Sequence, residues 1–427
     1  MASVKPFKAL HYHPQKISIG NVVAPPYDVI SVDENKKLHD RDPHNAIRLE
    51  LGVPDPKNPP QDSVYVNSAT CLKEWTQNEI LITDSKDAYY IYEMKYQHPF
   101  QLKTLTRLSV FGALKLEPFE NKIVFPHEKT HSTAKVDRMK LLKKTESNFS
   151  PIFGLYEDSS KTLDQIYDWV KNKSPMYEFQ DEKKTSHRLW VIESEKEICS
   201  IQNTFSHSGI FIADGHHRYE TALFYALKKN GGIISGSHSW DYALTAFVRF
   251  HDPGLLVLPI HRVVLNSVSI NKETLLSGLK KHFNVSLISK DKIQKVAEGQ
   301  VTEGFGMAFS EEECYLLELK DKKSAAAEMP SGKPIMWYGL DMTQVSHLIL
   351  EPLLKLDSEH LEKAISYTAN TEEAFALLRD KKSPCVFFIR PINPLVIKEI
   401  CESGELMPQK STYFYPKFSS GLLIYKH

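Results

Sequence analysis

The densest run of side chains able to do chemistry is Ile210-Phe211-Ile212-Ala213-Asp214-Gly215-His216-His217-Arg218-Tyr219-Glu220. Residues 210–213 predict a buried strand. Tyr219 to Leu227, with Ala222, Leu223 and Ala226 on one face, predict a helix. A strand that feeds a helix through Asp-Gly leaves the first-turn N–H groups without acceptors, and together with the helix dipole they favour an anion. His216, His217 and Arg218 add donors suited to phosphate. Capping alone accounts for Asp214 and Gly215 but not for three consecutive donors. The turn reads as a phosphate site at a helix start.

A second loaded segment is Val124-Phe125-Pro126-His127-Glu128-Lys129-Thr130-His131-Ser132. Residues 127–131 match HExxH, in which two histidines on one helical face hold zinc and the glutamate activates a bound water. Pro126 directly before the first histidine, and Lys129 and Thr130 where apolar residues are expected, weigh against that zinc hydrolase. Read otherwise, Pro126 turns the chain at a strand end and presents Glu128 in the loop that opens the next helix. There Glu128 is a candidate general base for an attacking hydroxyl beside the phosphate site. On the helix expected over 130–144, Lys135 or Arg138 is a candidate to turn inward.

Further candidates are scattered. Lys410, Ser411, Thr412, Tyr413 and Lys417 form a polar, basic loop suited to phosphate or carboxylate. Tyr27 and Asp28, after Pro25-Pro26, either line the cleft or form a plain turn. Arg48 either binds a substrate carboxylate or pairs with Glu50. Neither a P-loop nor GxGxxG is present: Ser331-Gly332-Lys333 lacks the upstream glycine, and Gly304-Phe305-Gly306 continues as a strand.

These residues need a scaffold in which strands alternate with helices. Strands are expected at 88–96, 107–116, 188–192, 242–250, 254–260, 304–309, 314–320 and 385–389. Helices are expected at 69–79, 163–172, 272–282, 343–353, 372–378 and 394–403. Residues 22–30 read as a strand interrupted by the diproline, 242–250 and 254–260 as a pair, and 322–334 as a surface loop. The class is α+β with mixed sheets. At 427 residues more than one core is expected. The boundaries are an N-terminal lobe 1–120, a core 121–265 carrying both motifs with an insertion at about 154–208, and a C-terminal lobe 266–427. Because 86 residues separate Glu128 from Asp214, that insertion must fold outward if the motifs are to meet.

The 53 basic and 53 acidic residues cancel, so neither nucleic acid nor an anionic membrane is an expected partner. No apolar run approaches a spanning length, and the first residues lack the apolar stretch of a secretory signal. Five scattered cysteines without CxxC fit a reducing compartment, so a cytoplasmic protein is expected.

Asp214-Gly215-His216-His217-Arg218 and Pro126-His127-Glu128 resemble the two signatures of the ADP-dependent free-serine kinases, which are built on the ParB/sulfiredoxin-like fold. The whole length resembles a large bacterial and archaeal domain-of-unknown-function family related to that fold. That resemblance lies in residues 24–30, Asn45-Ala46-Ile47-Arg48-Leu49, 127–130, Leu258-Pro259-Ile260-His261-Arg262 and 407–417. It implies a ParB/sulfiredoxin-like core and a small-molecule kinase moving phosphoryl from ADP or ATP, with magnesium, to the hydroxyl of a serine-like metabolite. Glu128 would be the base. Asp214 would act through magnesium, while Gly215, His216, His217 and Arg218 would hold nucleotide phosphates. His127, Thr130 and His131 would line the cleft. The alternative is a nucleotide-binding or nucleotide-hydrolysing regulator of ParB-like type.

Overall fold

A computed structural model describes residues 1–52, 62–130, 132–357 and 360–427. Two units divide the chain, one of Met1–Leu255 with Pro416–His427 and the other of Leu256–Tyr415. The first unit is organised on a nine-stranded mixed sheet. Its strands are β1 (Val4–Lys5), β2 (Tyr89–Gln97), β3 (Thr104–Lys115), β4 (Val124–Phe125), β5 (Ile152–Tyr156), β6 (Tyr177–Gln180), β7 (Ser186–Ile192), β8 (Ile210–Asp214) and β9 (Tyr242–Arg249). The spatial order is β4-β8-β5-β9-β3-β2-β7-β6, with β1 also paired to β3. The expected α+β class therefore holds.

The interior strands β5 and β9 are buried at every position, in keeping with their mainly apolar sequences. Tyr89, Ile91, Val110, Ile152, Ile210, Ile212 and Phe247 build the core on this sheet together with Tyr219, Ala222 and Ala226 from a covering helix. That helix and the others used below are α1 (Val32–Arg41), α2 (Ser63–Gln77), α3 (Ser132–Thr145), α4 (Glu195–Phe205) and α5 (His216–Lys229); α3 packs on both α2 and α5. Ser31 opens α1 with a capping box closed by Glu34.

Residues 1–120 and 121–255 do not separate into lobes, because both supply strands to one sheet. Nor does 154–208 fold outward. It begins within β5, and β7 joins β2 antiparallel with β6 outside it, so the segment extends the sheet at the edge opposite β4. The last twelve residues return to this unit, where Tyr425–Lys426 pairs with Ser147–Asn148.

The second unit holds an antiparallel six-stranded sheet. Its strands are β10 (His261–Val264), β11 (Phe283–Ile288), β12 (Phe305–Ala308), β13 (Cys314–Leu319), β14 (Ile365–Thr368) and β15 (Cys385–Phe388), in the order β11-β13-β12-β15-β10-β14. Phe375, Ala374 and Leu378 of a helix, with Ile293 of another, pack against Val263, Ala308, Val386 and Phe388.

Several local expectations change. Residues 242–249 pair with β3 and β5, whereas Leu256–Leu258 pairs with Tyr413–Tyr415, so the two segments belong to different units. Ile19–Val22 is a short helix, and the diproline leads into a 3-10 turn at Tyr27–Val29 instead of a resumed strand. Ile47–Glu50 is a short helix, and Lys322–Ala327 forms a helix within the expected loop. Among the described residues no helix is long and apolar enough to cross a membrane.

Candidate functional site

Strands β4 and β8 run parallel, with Val124 opposite Ile210 and Phe125 opposite Phe211. Glu128 and Asp214 each lie four residues beyond the first of these pairs, so both loops leave the sheet at the same end. Ligands in α/β sheets gather at the carboxyl ends of parallel strands. The register of β8 against β5 shifts between Ile212 and Asp214, leaving Ala213 as the extra residue of a bulge that re-aims Asp214. Two motifs 86 residues apart in sequence are thereby neighbours.

The contact between them is specific. His127 Nδ1 lies 2.7 Å from the Ile212 carbonyl, which fixes the first loop to β8. The His127 backbone N–H donates to His216 Nε2 at 3.2 Å, and His216 Nδ1 lies 3.5 Å from Glu128 Oε1. The two imidazoles meet edge to face, with centroids 4.5 Å apart. Burial, reinforced by His127, keeps the His216 pKa well below its ordinary value, so the ring is neutral.

Helix α5 begins at His216, three residues earlier than expected, and its first-turn amides belong to His216, His217 and Arg218. Gly215 precedes it at φ +89°, in the left-handed region. A Cβ there would come within 3.0 Å of Arg218 Cζ, because that guanidinium folds back over the turn. Arg218 donates to the Pro151 carbonyl and, at 2.8 Å, to Asp214 Oδ2. The other Asp214 oxygen accepts from Lys417, whose ammonium also lies 3.3 Å from Asp28 Oδ2. Burial alone would push the Asp214 carboxyl up, but Lys417 and then Arg218 outweigh it and hold the pKa down at about 2. Burial likewise opposes the Lys417 charge, and Asp214 and Asp28 more than compensate, so its pKa is raised.

Arg138 turns inward from α3. It donates to the backbone carbonyl and to Oε2 of Glu50, both at 3.0 Å, and its guanidinium lies 4.1 Å from the Tyr27 ring centroid. Glu50 also accepts from Ser150 and, at 3.2 Å, from Ser420. Burial raises the Glu50 pKa despite Arg138. Glu50, Arg138, Ser150 and Arg218 border one cavity. Thr130 donates to Glu220 at 2.7 Å, and Lys135 donates to the same oxygen.

Glu128, His127, Asp214, Gly215, His216, Arg218, Asp28 and Lys417 thus form one connected group. Tyr27 and Arg138 stand beside it, and the half-buried His217 follows His216. Arg48 does not pair with Glu50: it donates to the His39 carbonyl at 2.9 Å, while Glu50 pairs with Arg138. Lys410, Ser411 and Thr412 belong to the second unit. His131 lies outside the described residues. The chain from His127 to Thr130 is not helical, so the one-face geometry on which HExxH depends is missing there. Sequence reasoning missed Glu50, Ser150 and Ser420 as partners in this network. The available signal was Arg138 at an inward helical position, which demands a buried carboxylate.

Among solved structures, the chain is similar to a conserved hypothetical protein from Pyrococcus furiosus, with 14% identity, TM-score 0.33, and 73% of this chain and 93% of that one covered. It is similar to a free serine kinase in complex with AMP, with 13% identity, TM-score 0.33 and coverage of 72% and 86%. A third likeness is to C-terminally truncated SbnI from Staphylococcus aureus, with 10% identity, TM-score 0.34 and coverage of 71% and 83%. A comparison with curated proteins finds no match. The family described as "Protein of unknown function (DUF1015)" matches residues 4–343, and the chain belongs to that family.

Proposed function

We propose that this protein is a nucleotide-dependent kinase of a small hydroxylated metabolite, serine-like in size, on the ParB/sulfiredoxin-like core that the sequence resemblance implies. The observation that carries the reading is the meeting of Glu128 with the Asp214–Arg218 turn through His216. A carboxylate beside a helix start rich in donors combines a base with an anion cradle.

In this reading Glu128 takes the proton as the acceptor hydroxyl oxygen attacks the terminal phosphorus of ATP or ADP. The bond from that phosphorus to its bridging oxygen breaks, and the shortened nucleotide leaves with the electron pair. The first-turn amides of α5, Arg218 and Lys417 hold phosphate oxygens, and catalysis is mainly positioning and charge stabilisation. Magnesium is commonly bound through one or two carboxylates, with phosphate and water completing its shell. Asp214 and Asp28, both drawn to one ammonium, are a donor set of that kind and would hold it; the metal would neutralise phosphate charge.

The test is incubation of the purified chain with labelled ATP or ADP, magnesium and a panel of hydroxylated amino acids, serine first. Transfer to an acceptor, reduced about 100-fold or more by Glu128→Gln with nucleotide binding intact, is the expected result. Binding without transfer, or bare hydrolysis, overturns the kinase in favour of a nucleotide-binding regulator. No nucleotide binding overturns both.

A further inference from the structure

We propose that His216 is a positioning residue for Glu128 and not a phosphate ligand: one ring nitrogen accepts from the backbone beside Glu128 while the other directs its N–H toward the Glu128 carboxylate. The proposal rests on the reading of Glu128 as the base. Its support is the direction in which each bond must run. A carbonyl oxygen only accepts, so His127 Nδ1 carries the hydrogen that meets the Ile212 carbonyl at 2.7 Å. A peptide N–H only donates, so His216 Nε2, 3.2 Å from the His127 nitrogen, is the bare nitrogen of its ring. A ring whose Nε2 is bare carries its proton on Nδ1, which lies 3.5 Å from Glu128 Oε1.

The ring thus grips a dipeptide at two points, the main chain of residue 127 and the side chain of residue 128. At 2% exposure it is enclosed, and the edge-to-face packing of His127 restricts its rotation. With one nitrogen on backbone and the other on Glu128, neither remains to meet an anion. Phosphate contact then falls to the α5 amides, Arg218 and Lys417. The Glu128 carboxylate, held through Oε1, takes the hydroxyl proton on Oε2.

The full chain, labelled with nitrogen-15 at histidine, tests this by two-bond proton–nitrogen correlation spectra, with the His216 signals identified by their loss in His216→Gln. The expected tautomer is Nδ1–H, and its Nδ1 resonance shifts on Glu128→Ala. A ring protonated at Nε2, or an Nδ1 resonance indifferent to Glu128→Ala, overturns the proposal. Transfer kinetics give an independent reading. The amide of Asn lies near the Nδ1 position and that of Gln near Nε2. His216→Asn should therefore retain most of kcat, whereas His216→Gln loses 10- to 100-fold in kcat with nucleotide KM unchanged. Equal losses in both variants overturn the positioning role. A chain that transfers nothing removes the base reading, while the tautomer and its response to Glu128→Ala still decide the His216 contact.

Discussion

Replacing Lys417 by methionine keeps most of the side-chain volume and removes the cation shared by Asp214 and Asp28. Holding a carboxyl at about 2 instead of 3.8 is worth about 2.5 kcal/mol, at about 1.4 kcal/mol per tenfold change in proton affinity. That is what remains after burial has opposed it, and Lys417 supplies the largest favourable share. The variant should therefore lose stability of about 2 kcal/mol at pH 7. Asp28, more exposed, adds little. The sign with pH follows from the depressed folded-state value. The stabilisation is complete above the unfolded carboxyl pKa and is lost as pH falls through about 2. The gap between wild type and Lys417→Met should be steady from pH 7 to about 5 and narrow below about 4. Urea unfolding followed by tryptophan fluorescence reads it, because Trp75, Trp169, Trp190 and Trp240 all lie in the unit that holds the site. A variant as stable as wild type at pH 7, or a gap undiminished at pH 3, would refute the reasoning.

Gly215→Ala meets two obstacles, a left-handed backbone and the Arg218 guanidinium. A stability loss of about 1–2 kcal/mol and a nucleotide affinity at least tenfold weaker, measured by calorimetric titration with ADP, are expected. Arg138→Met strands the buried Glu50 carboxylate and should lower stability by about 3–5 kcal/mol in the same unfolding assay, with Glu50→Gln added to it restoring part of the loss.

Both motifs and the alternation of strands and helices were legible because local rules write them: apolar runs, a proline turn, Asp-Gly before a helix. The start of α5 was placed late because His216, His217 and Arg218 lack apolar periodicity, yet they make its first turn. Pairing was less legible. Nothing near residues 154–208 announces that β7 will cross to β2, because strand partners are chosen by packing over long separations. Lys417 was one polar residue in a surface-like loop, and its place beside Asp214 comes from the return of the C-terminal segment to the first unit. Arg48 and Glu50 looked like a pair by proximity in sequence. The helix Ile47–Glu50 instead leaves Arg48 to the His39 carbonyl and buries Glu50 against Arg138.

The parallel pairing of Val124 with Ile210 sets unequal tolerances for changes in chain length. The connection between β4 and β8 carries three further strands of the sheet, and loops within it can lengthen at an entropic cost that grows only logarithmically. The four-residue spans from Val124 to Glu128 and from Ile210 to Asp214 have no such freedom. One residue added to either span would carry its carboxylate about 3 Å along the chain and turn it toward the opposite face. Relatives that keep Glu128 and Asp214 side by side should therefore vary widely in the length between the motifs and hardly at all in these two short spans.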